Sequence, residues 1–186
     1  MTYQFKIQIK DITKPPVWRQ LQVPETISFH KFHYLIQLVF GWEGGHLYQF
    51  SPSGYGSNPV IADPSEDDMD ETDLNAKKTK LNQVFTAEKQ KFNYLYDFGD
   101  DWSHQIILEK ILPDEIKRPV CLAGKGTCPP EDCGGPWGYE NLKAILADPK
   151  HEQYEDMKEW LGLEDEEWDA NYFEPEEVNE MLKRFK

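Results

Sequence analysis

The chain has 186 residues, enough for one well-buried core, with 20 basic and 34 acidic residues and a net charge of −14. That balance repels phosphate backbones at long range and argues against nucleic acid as a partner. No apolar run reaches membrane-spanning length, no export signal opens the chain, and three cysteines cannot complete a disulfide framework, so reduced thiols in a cytoplasmic protein are expected.

Tyr3, Phe5, Ile7 and Ile9 alternate with Gln4, Lys6, Gln8 and Lys10, the period of a half-buried strand. Lys14-Pro15-Pro16 interrupts it. Val17, Arg19, Leu21 and Val23 then alternate with Trp18, Gln20 and Gln22 in a second strand, which Pro24 closes. Ser28 as N-cap and Gly41 as C-cap bracket a helix whose Phe29, Phe32, His33, Ile36, Val39 and Phe40 form one apolar stripe. A third strand is expected from His46 to Ser51, after Gly44-Gly45. The stretch from Asp63 to Asp73 holds seven acids and no base, in a loop too long for a plain connection. Lys77 to Glu88 reads as a short helix, with Leu81, Val84 and Phe85 on one side.

The central element is a hairpin. Phe92, Tyr94, Tyr96 and Phe98 alternate with Asn93, Leu95 and Asp97; Trp102, His104, Ile106 and Leu108 alternate with Ser103, Gln105, Ile107 and Glu109. A three-residue turn at Gly99-Asp100-Asp101 pairs Phe98 with Trp102, Asp97 with Ser103 and Tyr96 with His104, which puts the aromatics and His104 on one face. Pro113 to Pro136 is irregular. Beyond Gly138 the pattern is helical, with stripes at Tyr139, Leu142, Ile145 and Leu146 and at Tyr154, Met157, Trp160 and Leu161. A last helix starts at Pro175 and carries Val178, Met181, Leu182 and Phe185. Glu152 to Glu180 holds thirteen acids against Lys158 alone, a solvated face or a surface for a basic protein partner. The expected fold is α+β in a single domain over residues 1–186. It has an antiparallel-rich sheet of about five strands around the central hairpin and helices packed on it, three of them C-terminal.

Three constellations could carry chemistry. Asp97, Asp100, Asp101 and His104 at the hairpin tip combine carboxylates with an imidazole, as a divalent cation or a general acid/base pair requires. The alternatives are a core His104 and aspartates that serve the turn; Asp97, read as mid-strand, stands out because Asp is disfavoured there. The second is the stretch Cys128-Pro129-Pro130-Glu131-Asp132-Cys133-Gly134-Gly135, whose Glu131 and Asp132 are either a site or caps of the following helix. The third, Gly41-Trp42-Glu43-Gly44-Gly45-His46, could bring His46 to the same end of the sheet. Candidate metal ligands are Asp97, His104, Asp132 and His46. Cys121, Cys128 and Cys133 offer zinc ligands, but at spacings of seven and five residues they lack the close pair of structural zinc sites.

Lys14-Pro15-Pro16-Val17-Trp18-Arg19, Phe40-Gly41-Trp42 with His46-Leu47, Tyr96-Asp97-Phe98-Gly99-Asp100 with Trp102 and His104, and Pro129-Pro130-Glu131-Asp132 with Gly134-Gly135 and Gly138-Tyr139 together resemble the plasmid pRiA4b ORF-3-like family. The motifs follow the family's order and cover nearly the whole chain. The resemblance implies one compact α+β domain and supplies no catalytic assignment. Some members carry a transposon-passenger, resolvase-like label, yet this chain shows no serine-recombinase nucleophile motif and no basic DNA-binding tail. With no complete catalytic constellation, the leading expectation is a binding or interaction module with an acidic-aromatic pocket. The alternative is a metal-assisted hydrolase built on Asp97, Asp100, His104, Glu131 and Asp132 with a divalent ion. A third reading is an accessory protein of mobile elements.

Overall fold

The computed structural model describes residues 1–63, 73–163 and 166–185, so the acidic run between Asp63 and Asp73 lies outside the described residues. The strands are β1 (Thr2–Ile9), β2 (Trp18–Pro24), β3 (Tyr48–Ser51), β4 (Ile61–Ala62), β5 (Leu74–Asn75), β6 (Lys91–Tyr96), β7 (Trp102–Leu112) and β8 (Val120–Lys125). The helices are α1 (Phe29–Phe40), α2 (Gly135–Leu146), α3 (Tyr154–Trp160) and α4 (Pro175–Leu182). All the strands join one mixed sheet in the order β5-β4-β3-β6-β7-β1-β2-β8, antiparallel except where β4 meets β5. The fold is therefore α+β, but with eight strands where about five were expected. β4 and β5 are two residues each, too short to show a period. β8 lies in the stretch that reads as irregular, and Val120 and Leu122 on it stay exposed, so it carries no clean apolar signal.

Two local expectations change for physical reasons. Instead of a helix over Lys77 to Glu88 there is one 3-10 turn, Leu81–Gln83. The backbone there is committed elsewhere: Leu81 N–H donates to Ile27 O, Asn82 N–H to Glu25 O, and Thr79 O accepts from Phe29 N–H. In the hairpin, Tyr96 faces Trp102, Tyr94 faces His104 and Phe92 faces Ile106, two residues from the expected register. The cause is Asp97, which is not mid-strand. It adopts a left-handed φ of 54°, and its Oδ1 accepts from the N–H groups of Gly99 and Asp100, closing a longer loop. A shift of two keeps every side chain on its face, so the aromatic side survives and only Phe98 is expelled into solvent.

α1 starts and stops as its caps dictate: the Ser28 hydroxyl accepts from Lys31 N–H, and Gly41 sits at φ 84°. Its apolar stripe lies on the aromatic face of the sheet. Phe29 meets Phe50 at 5.0 Å between ring centroids, His33 stacks on Tyr48 at 3.7 Å, and Phe40 stands edge-on to His104 at 5.2 Å. Such ring pairs add about 0.5–1.5 kcal/mol each beyond area burial. On the opposite face, Glu109 accepts from the side-chain amides of Gln4 and Gln20, the polar side of the alternation.

The C-terminal helices complete the fold, α4 packing on β8 and α1, and α3 on α2. α2 buries Tyr139, Leu142 and Ile145, α4 buries Val178 and Leu182, and α3 is a surface helix with no buried residue. The edge strand β8 is held by α4: the Asn179 side chain accepts from Cys121 N–H at 2.9 Å and donates to Cys121 O at 2.8 Å. Covering an edge in this way blocks strand addition by another chain. Asn179→Leu is expected to cost about 2 kcal/mol and to speed hydrogen exchange at Cys121 before the rest of the sheet. Unaltered exchange there would mean that the clamp holds nothing. No helix among the described residues is long and apolar enough to cross a membrane.

Candidate metal centre

Three loops meet at the end of the sheet where β3, β6 and β7 terminate. The first leaves α1 at Gly41, the second is the tip of the β6–β7 hairpin, and the third precedes α2. Trp42 joins the first to the third by donating its indole N–H to Pro129 O at 2.9 Å, and its ring stacks on Tyr96 at 5.2 Å. Asp100 joins the second to the third, its carboxylate accepting from Gly134 N–H at 3.1 Å. Gly135 has a φ of 69°, and a Cβ there would collide with Asp100 O. Gly135 is thus a requirement of close backbone approach, while Gly134 is required only by its left-handed φ of 87°. Gly135→Ala is expected to cost about 2 kcal/mol or more, from the left-handed φ and the collision together. It should also splay the third loop from the hairpin, which chemical-shift changes at Asp97 to Asp101 would show. Wild-type shifts there would refute the close-approach argument.

The side chains gathered by these contacts are His46, Asp97, Glu131 and Asp132. His46 Nδ1 lies 3.6 Å from Asp97 Oδ2, and its Nε2 lies 3.6 Å from both Glu131 Oε2 and Asp132 Oδ1. One ligand atom from each of His46, Asp97 and Asp132 falls within 4.8 Å of the other two, close enough to share a cation. Asp97 is buried, His46 half-buried and Asp132 exposed, so the group opens to solvent on one side. Asp97 and Asp132 have φ values of 54° and 57°, a conformation that Asp tolerates better than most residues.

Glu131 is fixed rather than free. Its Oε1 accepts from the Tyr96 hydroxyl at 2.8 Å and from Glu43 N–H at 2.9 Å, which leaves Oε2 facing the imidazole. Burial, and next the hydrogen bond to Glu131, push the Tyr96 hydroxyl well above the usual phenol range, so it stays a donor. Tyr96, through its hydroxyl, and Glu43, through its backbone N–H, are the supports of this cluster that the sequence candidates did not include. Tyr96 reads as one aromatic among four, and only its position as the last residue before Asp97 sets it apart.

The structure divides the sequence candidates. It brings together His46, Asp97, Glu131 and Asp132. Asp100 serves the loop junction rather than the cluster. His104 is outside it: the ring is fully buried among Phe40, Trp42 and Tyr94, with Nδ1 donating to Trp102 O at 2.9 Å and Nε2 without a partner among the described residues. It is a core histidine, because the strand period points it under α1 and away from the tip. Cys121, Cys128 and Cys133 are free thiols and none belongs to the ligand cluster. Burial pushes Cys121 up to about 11 and Cys133 up to about 12, and raises Cys128 further, so none is primed as a thiolate.

With this geometry in view, comparison with known proteins is informative. The family model described as plasmid pRiA4b ORF-3-like protein matches residues 1–177. The chain belongs to that family. The chain is also similar to the uncharacterised protein y4hQ of Sinorhizobium fredii. It is 38% identical over 157 residues, covering 83% of this chain and 78% of the relative. A solved structure, a protein of unknown function, MM3350, from Methanosarcina mazei Go1, superposes with a TM-score of 0.81 at 40% identity. It covers 95% of this chain and 97% of that one. Of the motifs on which the resemblance was drawn from the sequence, all but the Lys14 to Arg19 segment contribute to the loop junction or the ligand cluster. That segment instead buries Arg19, which donates to four backbone carbonyls.

Proposed function

We propose that this plasmid pRiA4b ORF-3-like protein is a cytoplasmic, single-domain binding module whose acidic-aromatic pocket holds a divalent cation between His46, Asp97 and Asp132. The observation that carries this is the convergence of one imidazole and two carboxylates from three loops within 4.8 Å. A mixed nitrogen and oxygen set without thiolate suits manganese, iron or zinc better than a wholly oxygen-bound ion such as calcium. The acidic surface around it suits a basic protein partner.

A second reading, metal-assisted hydrolysis, is favoured by one further observation. Three protein ligands leave coordination positions open, and Glu131 presents a free oxygen beside them while Tyr96 and Glu43 hold the other. A carboxylate so placed can take a proton from a metal-bound water.

The test is elemental mass spectrometry of tag-free protein, with calorimetric titration of Mn²⁺ and Zn²⁺ into chelator-treated protein. Near-stoichiometric binding is expected, falling by about a hundredfold or more in Asp97→Asn, since a neutral amide replaces an anionic ligand. Equal affinity in Asp97→Asn and Asp132→Asn would overturn the metal centre. Metal binding without hydrolysis of any ester or phosphoester probe would leave the binding module standing and remove the enzyme.

A further inference from the structure

The cation centre uses none of the lysines, and three of them line one cleft elsewhere. Lys14 comes from the β1–β2 connection, Lys125 ends β8, and Lys143 lies on α2. With Trp168, Leu146 and Pro16 they enclose about 580 Å³, within the range of small-molecule sites. Among the described residues no Asp or Glu lines it, although Trp168, Ala170 and Asn171 come from the acidic C-terminal stretch.

The charge on the cleft can be bounded. Lys143 is nearly buried and its ammonium donates to Lys14 O at 2.8 Å and to Glu140 Oε1 at 2.7 Å, so Glu140 compensates it and two of its three donors are used. Lys14 and Lys125 have no carboxylate partner among the described residues. The uncompensated charge is therefore close to that of a phosphate monoester with its sign reversed, about −2 for the ester near pH 7. A singly charged carboxylate would balance only half of it. The volume exceeds what a bare phosphate fills, and the indole, leucine and proline walls offer an apolar seat for the rest of the ligand.

We infer that this cleft binds a small phosphate monoester, the phosphoryl group between Lys14, Lys125 and Lys143 and a flat apolar body against Trp168. Lysines act here as point charges on a dianion rather than as a geometric fork. The site is independent of the cation centre, since it shares no residue with it.

The test is calorimetry and tryptophan fluorescence with adenosine monophosphate as probe, and with adenosine and inorganic phosphate as its two halves. Chelator is kept in the buffer so that no metal at His46 can recruit the phosphate. The expected result is that the monophosphate binds at least about tenfold more tightly than either half. Affinity should fall by about tenfold or more in a Lys14→Gln, Lys125→Gln double variant, both residues being exposed and the changes keeping side-chain length, with the fold checked by circular dichroism. Quenching should vanish in Trp168→Phe. No binding of the monophosphate at millimolar concentration, or the same affinity in the double variant, would overturn the inference. So would adenosine binding as tightly as its phosphate.

Discussion

Between pH 6.5 and 5 the protein is expected to lose about 1 kcal/mol of stability per pH unit for each of two histidines, His33 and His104. Burial lowers both from the ordinary value of 6.5 to about 3 in the folded state. Their folded values lie below their unfolded ones, so in this window the unfolded chain binds more protons than the native one. The stability is therefore fully present above about pH 6.5, falls as the pH drops towards 3, and falls no further below that from these groups. The surroundings differ. His104 sits on the sheet under Phe40 and Trp42, fully buried, so a charge on its ring would lose its hydration, and the backbone carbonyls of Trp102 and Tyr94 offset that cost only in part. His33 is lowered first by burial and next by the neighbouring His30; its Nδ1 lies 2.8 Å from the Tyr94 hydroxyl, which also accepts from the Gln37 side-chain amide. Urea unfolding at several pH values above the carboxylate range reads this slope, to which His30, also lowered by burial, adds. His104→Phe, which fits the aromatic surroundings, should remove a large part of the slope, and a flat wild-type curve from pH 6.5 to 5 would sink the account.

Arg19→Met is expected to destabilise the fold by about 4 kcal/mol, the largest effect of any single side chain discussed here. Arg19 is buried without a carboxylate among the described residues. Its Nε donates to Val39 O at the end of α1, Nη1 to Trp18 O and Lys125 O, and Nη2 to Gly126 O. Phe173 lies 3.9 Å from the guanidinium and Phe40 5.0 Å, so two aromatic rings contact the cation. Methionine fills much of the volume but leaves those carbonyls unpaired in a dry place, each costing about 1–3 kcal/mol before relaxation. Arg19→Lys should recover little, because three tetrahedral donors cannot reach acceptors arranged for a planar fork. A lowered denaturant midpoint at unchanged m-value is the expected signature. A midpoint within a few tenths of wild type would show that solvent replaces the guanidinium at little cost.

The cation cluster and the lysine cleft were legible to different degrees. Asp97, Glu131, Asp132 and His46 stand in motifs crowded with glycine, proline and aromatic residues, and each motif could be singled out from composition alone. Their convergence could not, because it depends on Trp42 reaching Pro129 and Asp100 reaching Gly134, contacts between residues 87 and 34 positions apart. His104 shows the reverse case. Its alternation with Trp102 and Ile106 already placed it on a core face, and the structure keeps it there. Lys14, Lys125 and Lys143 belong to no common pattern, and only the folding of α2 against the β1–β2 connection gathers them.

What the sequence by itself determined is what short-range physics controls. The alternation in β1, β2 and β7, the capped ends of α1, the aromatic face of the hairpin and the proline start of α4 are all set by neighbours a few residues away. Tertiary structure decided the rest. The hairpin register moved by two because Asp97 bonds its own loop and takes the Leu47 carbonyl as acceptor for its N–H. The expected helix before the hairpin gave way because its backbone pairs with the approach to α1. β8 exists because β2 offers it an edge and Asn179 holds it there, not because its side chains demand a strand. Backbone groups must find partners wherever the chain is buried, and which partner they find is a property of the assembled fold rather than of any local stretch.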